Sequence, residues 1–121
     1  MTIIEAINKI DSLKPNTYTQ NEKIKWLSAL DALIKKEILD THEGDITFDG
    51  YTDYTPIDTV LIAKEPYDEM YIYWLESKID YYNAEYAHYN NSVAAFGNMY
   101  SEFSRYYNRT HKPKTKKIKY F

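Results

Sequence analysis

The sequence predicts a mainly α-helical fold, a small domain in which two N-terminal helices pack on a long C-terminal helix. Three observations carry this. The chain has 3 glycines and 4 prolines in 121 residues, too few for a many-turned β-fold. Two early segments open on helix-capping signals and continue with apolar residues on one face. From Ile72 to Tyr107 apolar and tyrosine side chains then recur in alternating steps of three and four.

The first helix is predicted over residues 3–13. Thr2 and Glu5 have the spacing of a capping box, in which a hydroxyl and a carboxylate satisfy each other's backbone N–H groups. Ile3, Ala6, Ile7, Ile10 and Leu13 share a face, and Pro15 ends the run. The second helix is predicted from about residue 20 to Thr41, with Thr19 and Glu22 repeating the capping signal and Gly44 as its stop. Ile24, Leu27, Leu30, Ile34 and Ile38 form its apolar face, flanked by Trp26 and Leu33, and Asp31 and Lys35 stand at i,i+4 as a surface ion pair.

Residues 45–65 mix glycine, proline, aspartate and threonine with two β-prone pieces, Ile46–Phe48 and Thr59–Ile62, so a loop or a small β-hairpin is expected there. The third helix is predicted from Pro66 to about Arg109. Pro66 suits a first turn, and Asp68 and Glu69 suit the positive end of the helix dipole. Unbroken, it would be about 66 Å long. Its weak point is Asn90-Asn91-Ser92, where a kink is the alternative, although the seam keeps its phase there.

That seam reads Ile72, Leu75, Ile79, Tyr82, Tyr86, Tyr89, Val93, Phe96, Tyr100, Phe103, Tyr107. Half of it is tyrosine, which buries a ring but keeps a hydroxyl that needs a partner or water. Ile72 to Tyr82 are expected in the core. A second stripe of Tyr67, Met70, Tyr71, Trp74 and Tyr81 makes this half apolar on two sides and central to the domain. Tyr86, Tyr89, Val93, Phe96, Tyr100, Phe103 and Tyr107 are expected to touch another subunit, because two short helices cannot cover so long a partner.

Charge is uneven under a net −3. Glu37 to Glu76 holds eleven acidic residues and one basic one, Lys64, whereas Arg105 to Phe121 holds seven basic residues and no acidic one. The chain therefore divides into a helical domain, residues 1–111, and a basic flexible tail, 112–121, with Lys112, Lys114, Lys116, Lys117 and Lys119 as contact residues. Asp45, Asp49 and Asp53 are the acidic-loop counterparts. Opposite charges on two segments favour contact between identical subunits.

No catalytic pattern emerges. The chain has no cysteine, no glycine-rich phosphate loop and no G-x-S-x-G. His42, His88 and His111 lack metal-ligand spacing and read as exposed helix and tail residues. The Asp45–Asp49–Asp53 spacing is wrong for a calcium loop. No enzyme, metal or cofactor is expected. The N-terminus reads as an amphipathic helix rather than a signal peptide, and no run has the apolar length of a membrane span. The lysine cluster supports at most non-specific attraction to DNA.

Several strings resemble one family. Glu65-Pro66-Tyr67-Asp68-Glu69-Met70-Tyr71, Tyr81-Tyr82-Asn83, Tyr89-Asn90-Asn91-Ser92 and Tyr106-Tyr107-Asn108-Arg109-Thr110-His111 are similar to those of head–tail connector, or adaptor, proteins of tailed phages and prophages of Gram-positive hosts. Leu13-Lys14-Pro15-Asn16 and Lys25-Trp26-Leu27 extend the likeness to the N-terminal half. The resemblance implies a non-enzymatic structural protein of the virion neck, present in the host cytoplasm during assembly. It implies a homo-oligomeric ring on the portal protein, a neck or tail completion protein as the next partner, and a subunit that is monomeric when free. The alternative is a small helical protein-interaction or nucleic-acid-associated protein with a basic tail.

Overall fold

The computed structural model describes residues 1–44 and 46–114. Among the described residues four helices follow in order, α1 (Ile3–Leu13), α2 (Gln20–Glu37), α3 (Glu69–Tyr82) and α4 (Tyr86–Thr110), with one 3-10 turn at Leu39–Thr41. The fold is mainly helical, as the sequence predicts, and the described residues form no extended strand.

Local chemistry sets the first boundaries. Thr2 and Glu5 close the capping box: Thr2 N–H donates to Glu5 Oε1 at 3.0 Å, and Glu5 N–H donates to Thr2 Oγ1 at 3.2 Å. At α2 only half of that motif forms, with Glu22 N–H donating to Thr19 Oγ1. α2 ends at Glu37, four residues before the predicted end at Thr41, and a 3-10 turn covers Leu39–Thr41 instead.

The single long helix is corrected. The chain reverses at Asn83–Glu85, and α4 returns antiparallel along α3, so that Tyr67 stacks on Tyr106 and Trp74 meets Phe96. The break is a Schellman motif: Glu85 N–H donates to Asp80 O at 2.9 Å, and Ala84 N–H to Tyr81 O at 3.1 Å. Ala84, not glycine, takes the left-handed position, with φ +58°. Asn90, Asn91 and Ser92 lie inside unbroken α4. Ser92 is buried, and its hydroxyl donates to Asp80 Oδ2 at 3.1 Å.

α3 is the central element, packed against α1 and α2 as well as α4. This explains its two apolar stripes. The core joins Ile3, Ile7 and Ile10 of α1, Leu27, Leu30 and Ile34 of α2, and Met70, Leu75 and Ile79 of α3. Phe103 and Tyr107 of α4 close it.

Residues 46–68 form a loop rather than a hairpin. It is fastened to the N-terminus, where Ile3 N–H donates to Thr59 O, Ile4 N–H to Ile57 O, and Leu61 N–H to Met1 O. It is fastened inside by Asp31. This carboxylate is fully buried and accepts from Tyr51 Oη at 2.5 Å, Tyr71 Oη at 2.6 Å and Ile62 N–H at 3.2 Å. Tyr71 Oη in turn accepts from Ala63 N–H at 2.7 Å. Burial pushes the Asp31 carboxyl above its ordinary range, against the pull of the Tyr51 and Tyr71 hydroxyls. Burial and the adjacent carboxylate raise both phenols. The expected Asp31–Lys35 surface pair is therefore corrected; Lys35 bonds Asp40 instead, at 3.0 Å.

Candidate docking surface

The two halves of the tyrosine seam meet different fates. Phe103 and Tyr107 are only 4% and 7% exposed, sealed inside their own protomer, so their assignment to an intersubunit contact is not kept. Phe96 and Tyr100 are half-buried on the protomer's own surface, and Tyr100 Oη donates to Glu37 Oε1 at 2.7 Å. Toward the reversal the seam opens. Tyr89 is half-buried, Val93 is exposed, and Tyr86 is 60% exposed.

The reversal also exposes residues assigned to the core. Tyr81 and Tyr82, at the last turn of α3, are more than half exposed because the chain turns away before anything covers them. Around them the rings form a continuous ladder. Tyr18 meets the edge of Trp26 at 5.4 Å, and Trp26 stacks on Tyr82 at 5.8 Å with planes 8° apart. Tyr82 meets Tyr81 at 5.3 Å, and Tyr81 meets Tyr89 at 5.5 Å and Tyr86 at 6.5 Å.

Hydrogen bonds fix this edge. Trp74 Nε1–H donates to Trp26 O at 2.7 Å, which ties α3 to α2. Tyr18 Oη donates to Asn83 Oδ1 at 2.7 Å, which ties the α1–α2 connection to the reversal. Lys78 lies 4.4 Å above the Trp74 ring, and burial lowers its ammonium pKa. Two hollows result, of about 410 Å³ between Trp74, Lys78, Tyr81, Tyr89 and Phe96, and of about 290 Å³ between Tyr18, Glu22, Trp26 and Tyr82.

Under the edge sits a second buried carboxylate. Asp80 is fully buried, pairs with the Lys14 ammonium and accepts from Ser92 Oγ. Lys14 also lies 3.2 Å from Glu85 Oε2. These two carboxylates raise the Lys14 pKa, overcoming the opposing effect of its burial. The ion pair anchors the helix reversal to the end of α1. The rings are therefore held on a rigid frame, which reduces the entropy lost when a partner binds.

The charged calls divide similarly. Asp49 and Asp53 are exposed on the loop. Lys112 and Lys114 are not loose: Glu43 N–H donates to Lys112 O at 2.8 Å, and Lys114 N–H donates to Thr41 O at 3.0 Å. Asp45, Lys116, Lys117 and Lys119 lie outside the described residues. His42, expected exposed, is buried between Ile38 O, at 2.6 Å from Nδ1, and Asn108 Oδ1, at 2.8 Å from Nε2. Among the described residues no cluster of histidine and carboxylate side chains has the geometry to hold a metal ion, and no helix is long and apolar enough to cross a membrane.

Sequence reasoning missed Tyr18, Trp26, Tyr81 and Tyr82 as surface residues. For Tyr18 and Trp26 the available signal was their position on either side of the Thr19 cap; for Tyr81 and Tyr82 the sequence offered none, because the end of α3 is not marked in it. No protein-family model, curated protein or solved structure matches this chain.

Proposed function

We propose that this protein is a structural head–tail connector of a tailed phage or prophage, a non-enzymatic subunit that docks on the portal protein and receives a neck or tail completion protein. The observation that carries the reading is the exposed aromatic edge at the α3–α4 reversal. Tyr81, Tyr82 and Tyr86, each more than half exposed, form an aromatic surface on a hydrogen-bonded frame. Tyrosine and tryptophan are the residues that protein interfaces favour, because they bury area at a small entropy cost and keep a polar end for water.

Charge supports a ring. Exposed Arg105 and Arg109 near the end of α4, and exposed Asp49 and Asp53 on the loop, give one protomer opposite charges on separate elements. Head-to-tail contacts between such surfaces set subunit order and close into a ring. Each contact is small enough for a free subunit to stay monomeric until the portal acts as template. In this reading the protein resides in the virion neck, and in the host cytoplasm during assembly.

Co-sedimentation with DNA-filled, tail-less heads tests the proposal. The intact protein should pellet with heads that contain portal. The triple substitution Tyr81→Ser, Tyr82→Ser, Tyr86→Ser should reduce that by about tenfold or more, as loss of a 1.4 kcal/mol hot spot requires. A protein that stays in the supernatant, or a triple variant that pellets equally well, counts against the reading.

A further inference from the structure

One cation in the aromatic edge lacks a counter-charge. Among the described residues four lysines are buried or half-buried: Lys14, Lys23, Lys35 and Lys78. Lys14 pairs with Asp80, Lys23 with Asp11 and Lys35 with Asp40. Lys78 meets no carboxylate among the described residues. Its ammonium lies over the Trp74 ring instead, 4.4 Å from the centroid. The ring face stabilises the charge in part. Burial lowers the Lys78 pKa, so the compensation is incomplete.

The ammonium stands in the hollow of about 410 Å³ between two helices. Trp74 and Tyr81 of α3 and Tyr89, Val93 and Phe96 of α4 line it. Among the described residues Lys78 is the one charged group in that lining. An aromatic recess with a single cation is complementary to an apolar side chain that has a carboxylate beside it. The surroundings disfavour nucleic acid. A phosphate backbone calls for several cations, yet the adjoining hollow presents Glu22, and Glu85 is exposed at the reversal.

We propose that this hollow recognises an acidic segment of a partner protein, seating one apolar or aromatic side chain among Tyr81, Tyr89 and Val93 and placing an aspartate or glutamate of the same segment on Lys78. The partner's carboxylate makes a charge-assisted hydrogen bond where the rings exclude water. The recess is preset, because Trp74 is held by its bond to Trp26 O and by Phe96, 5.1 Å away. The inference deepens the connector reading. Identifying the partner as the portal protein rests on that reading, whereas the chemistry of the segment does not.

The test selects peptides from a random display library on the full-length protein, then measures the affinity of a synthesised enriched peptide by fluorescence anisotropy. Enriched peptides should carry aspartate or glutamate within one helical turn of phenylalanine, tryptophan, leucine or methionine. Lys78→Gln should weaken binding about fivefold without moving the melting temperature, and Lys78→Arg should retain it, since arginine keeps the charge and the stacking on Trp74. Val93→Glu, at an exposed wall position, should weaken binding at least as far, by adding a like charge to the recess. No enrichment, enriched peptides without an acidic residue, equal affinity for Lys78→Gln, or tighter binding of oligothymidylate than of the peptide would overturn the proposal. The selection needs no phage heads, so it can succeed where co-sedimentation fails, and fail where co-sedimentation succeeds.

Discussion

Tyr71→Phe removes one oxygen from the centre of the protein and leaves the ring in place. Tyr71 is fully buried, and its hydroxyl donates to Asp31 Oδ1 at 2.6 Å while accepting from Ala63 N–H at 2.7 Å. Phenylalanine fits the same volume, so no cavity opens beyond the lost oxygen. The loss has two parts. A hydrogen bond to a charged carboxylate contributes about 2 kcal/mol, and leaving the buried Ala63 N–H without its partner costs at least about 1 more. The expected destabilisation is therefore about 3 kcal/mol. Unfolding entropy near 2 cal/mol/K per residue gives about 0.25 kcal/mol/K for a chain of this size, hence a fall in Tm of roughly 12 °C. Tyr51→Phe is the internal control: its hydroxyl donates to Asp31 Oδ2 alone, so it should cost only about 2 kcal/mol. Urea denaturation followed by far-UV circular dichroism measures both. A Tyr71→Phe cost below about 1 kcal/mol, or one no larger than that of Tyr51→Phe, would refute the claim that this network clamps the loop to the helices.

Three further outcomes follow from the buried polar groups and the reversal. Ala84→Gly should stabilise the protein by about 0.5–1 kcal/mol in the same denaturation assay, because glycine adopts φ +58° without the steric cost that alanine bears; in a helix interior this substitution would destabilise. Lys14→Met should cost about 3 kcal/mol, since it leaves the buried Asp80 carboxylate with Ser92 as its remaining partner, and a melt indistinguishable from wild type would contradict the anchor at the reversal. Asp31→Asn removes a titration whose sign is fixed by burial. The folded-state pKa lies above the ordinary 3.8, so Asp31 contributes stability that is present below 3.8 and lost as pH rises through the folded value. The wild-type advantage over Asp31→Asn should therefore shrink as pH rises above the ordinary carboxylate range, whereas a growing advantage would show that the carboxylate is stabilised, not strained, by its site.

Much of the fold is legible because its causes are local. The Thr2–Glu5 box lies within four residues, and the apolar faces of α1 and α2 follow their own period. The reversal at Asn83–Glu85 is not legible for a specific reason. Tyr82 to Tyr86 is a step of four, so the seam stays in phase through a turn that inverts the chain, and the left-handed position holds alanine where the usual signal is glycine. Asn90–Ser92 misdirects in the other sense. Ser92 is polar because α4 meets the buried Asp80 of α3 there; His88 O and Tyr89 O of its own helix lie equally near and compete for the same hydroxyl proton. Asp31 did carry a signal: it falls in phase with Ile24, Leu27, Ile34 and Ile38, hence on the buried face. The surface-pair rule for i,i+4 charges hides that placement. Of the candidate surface, Tyr86, Tyr89 and Val93 could be read from the seam. Tyr81 and Tyr82 could not, because their exposure depends on where the chain turns.

Cryo-electron microscopy of DNA-filled, tail-less heads incubated with the purified protein addresses the connector reading most directly. The account predicts a ring of added density below the portal, with the α3–α4 reversal and its Tyr81, Tyr82 and Tyr86 side chains pressed against the portal surface. Heads that gain no density, or a ring in which those three tyrosines face solvent, would contradict it.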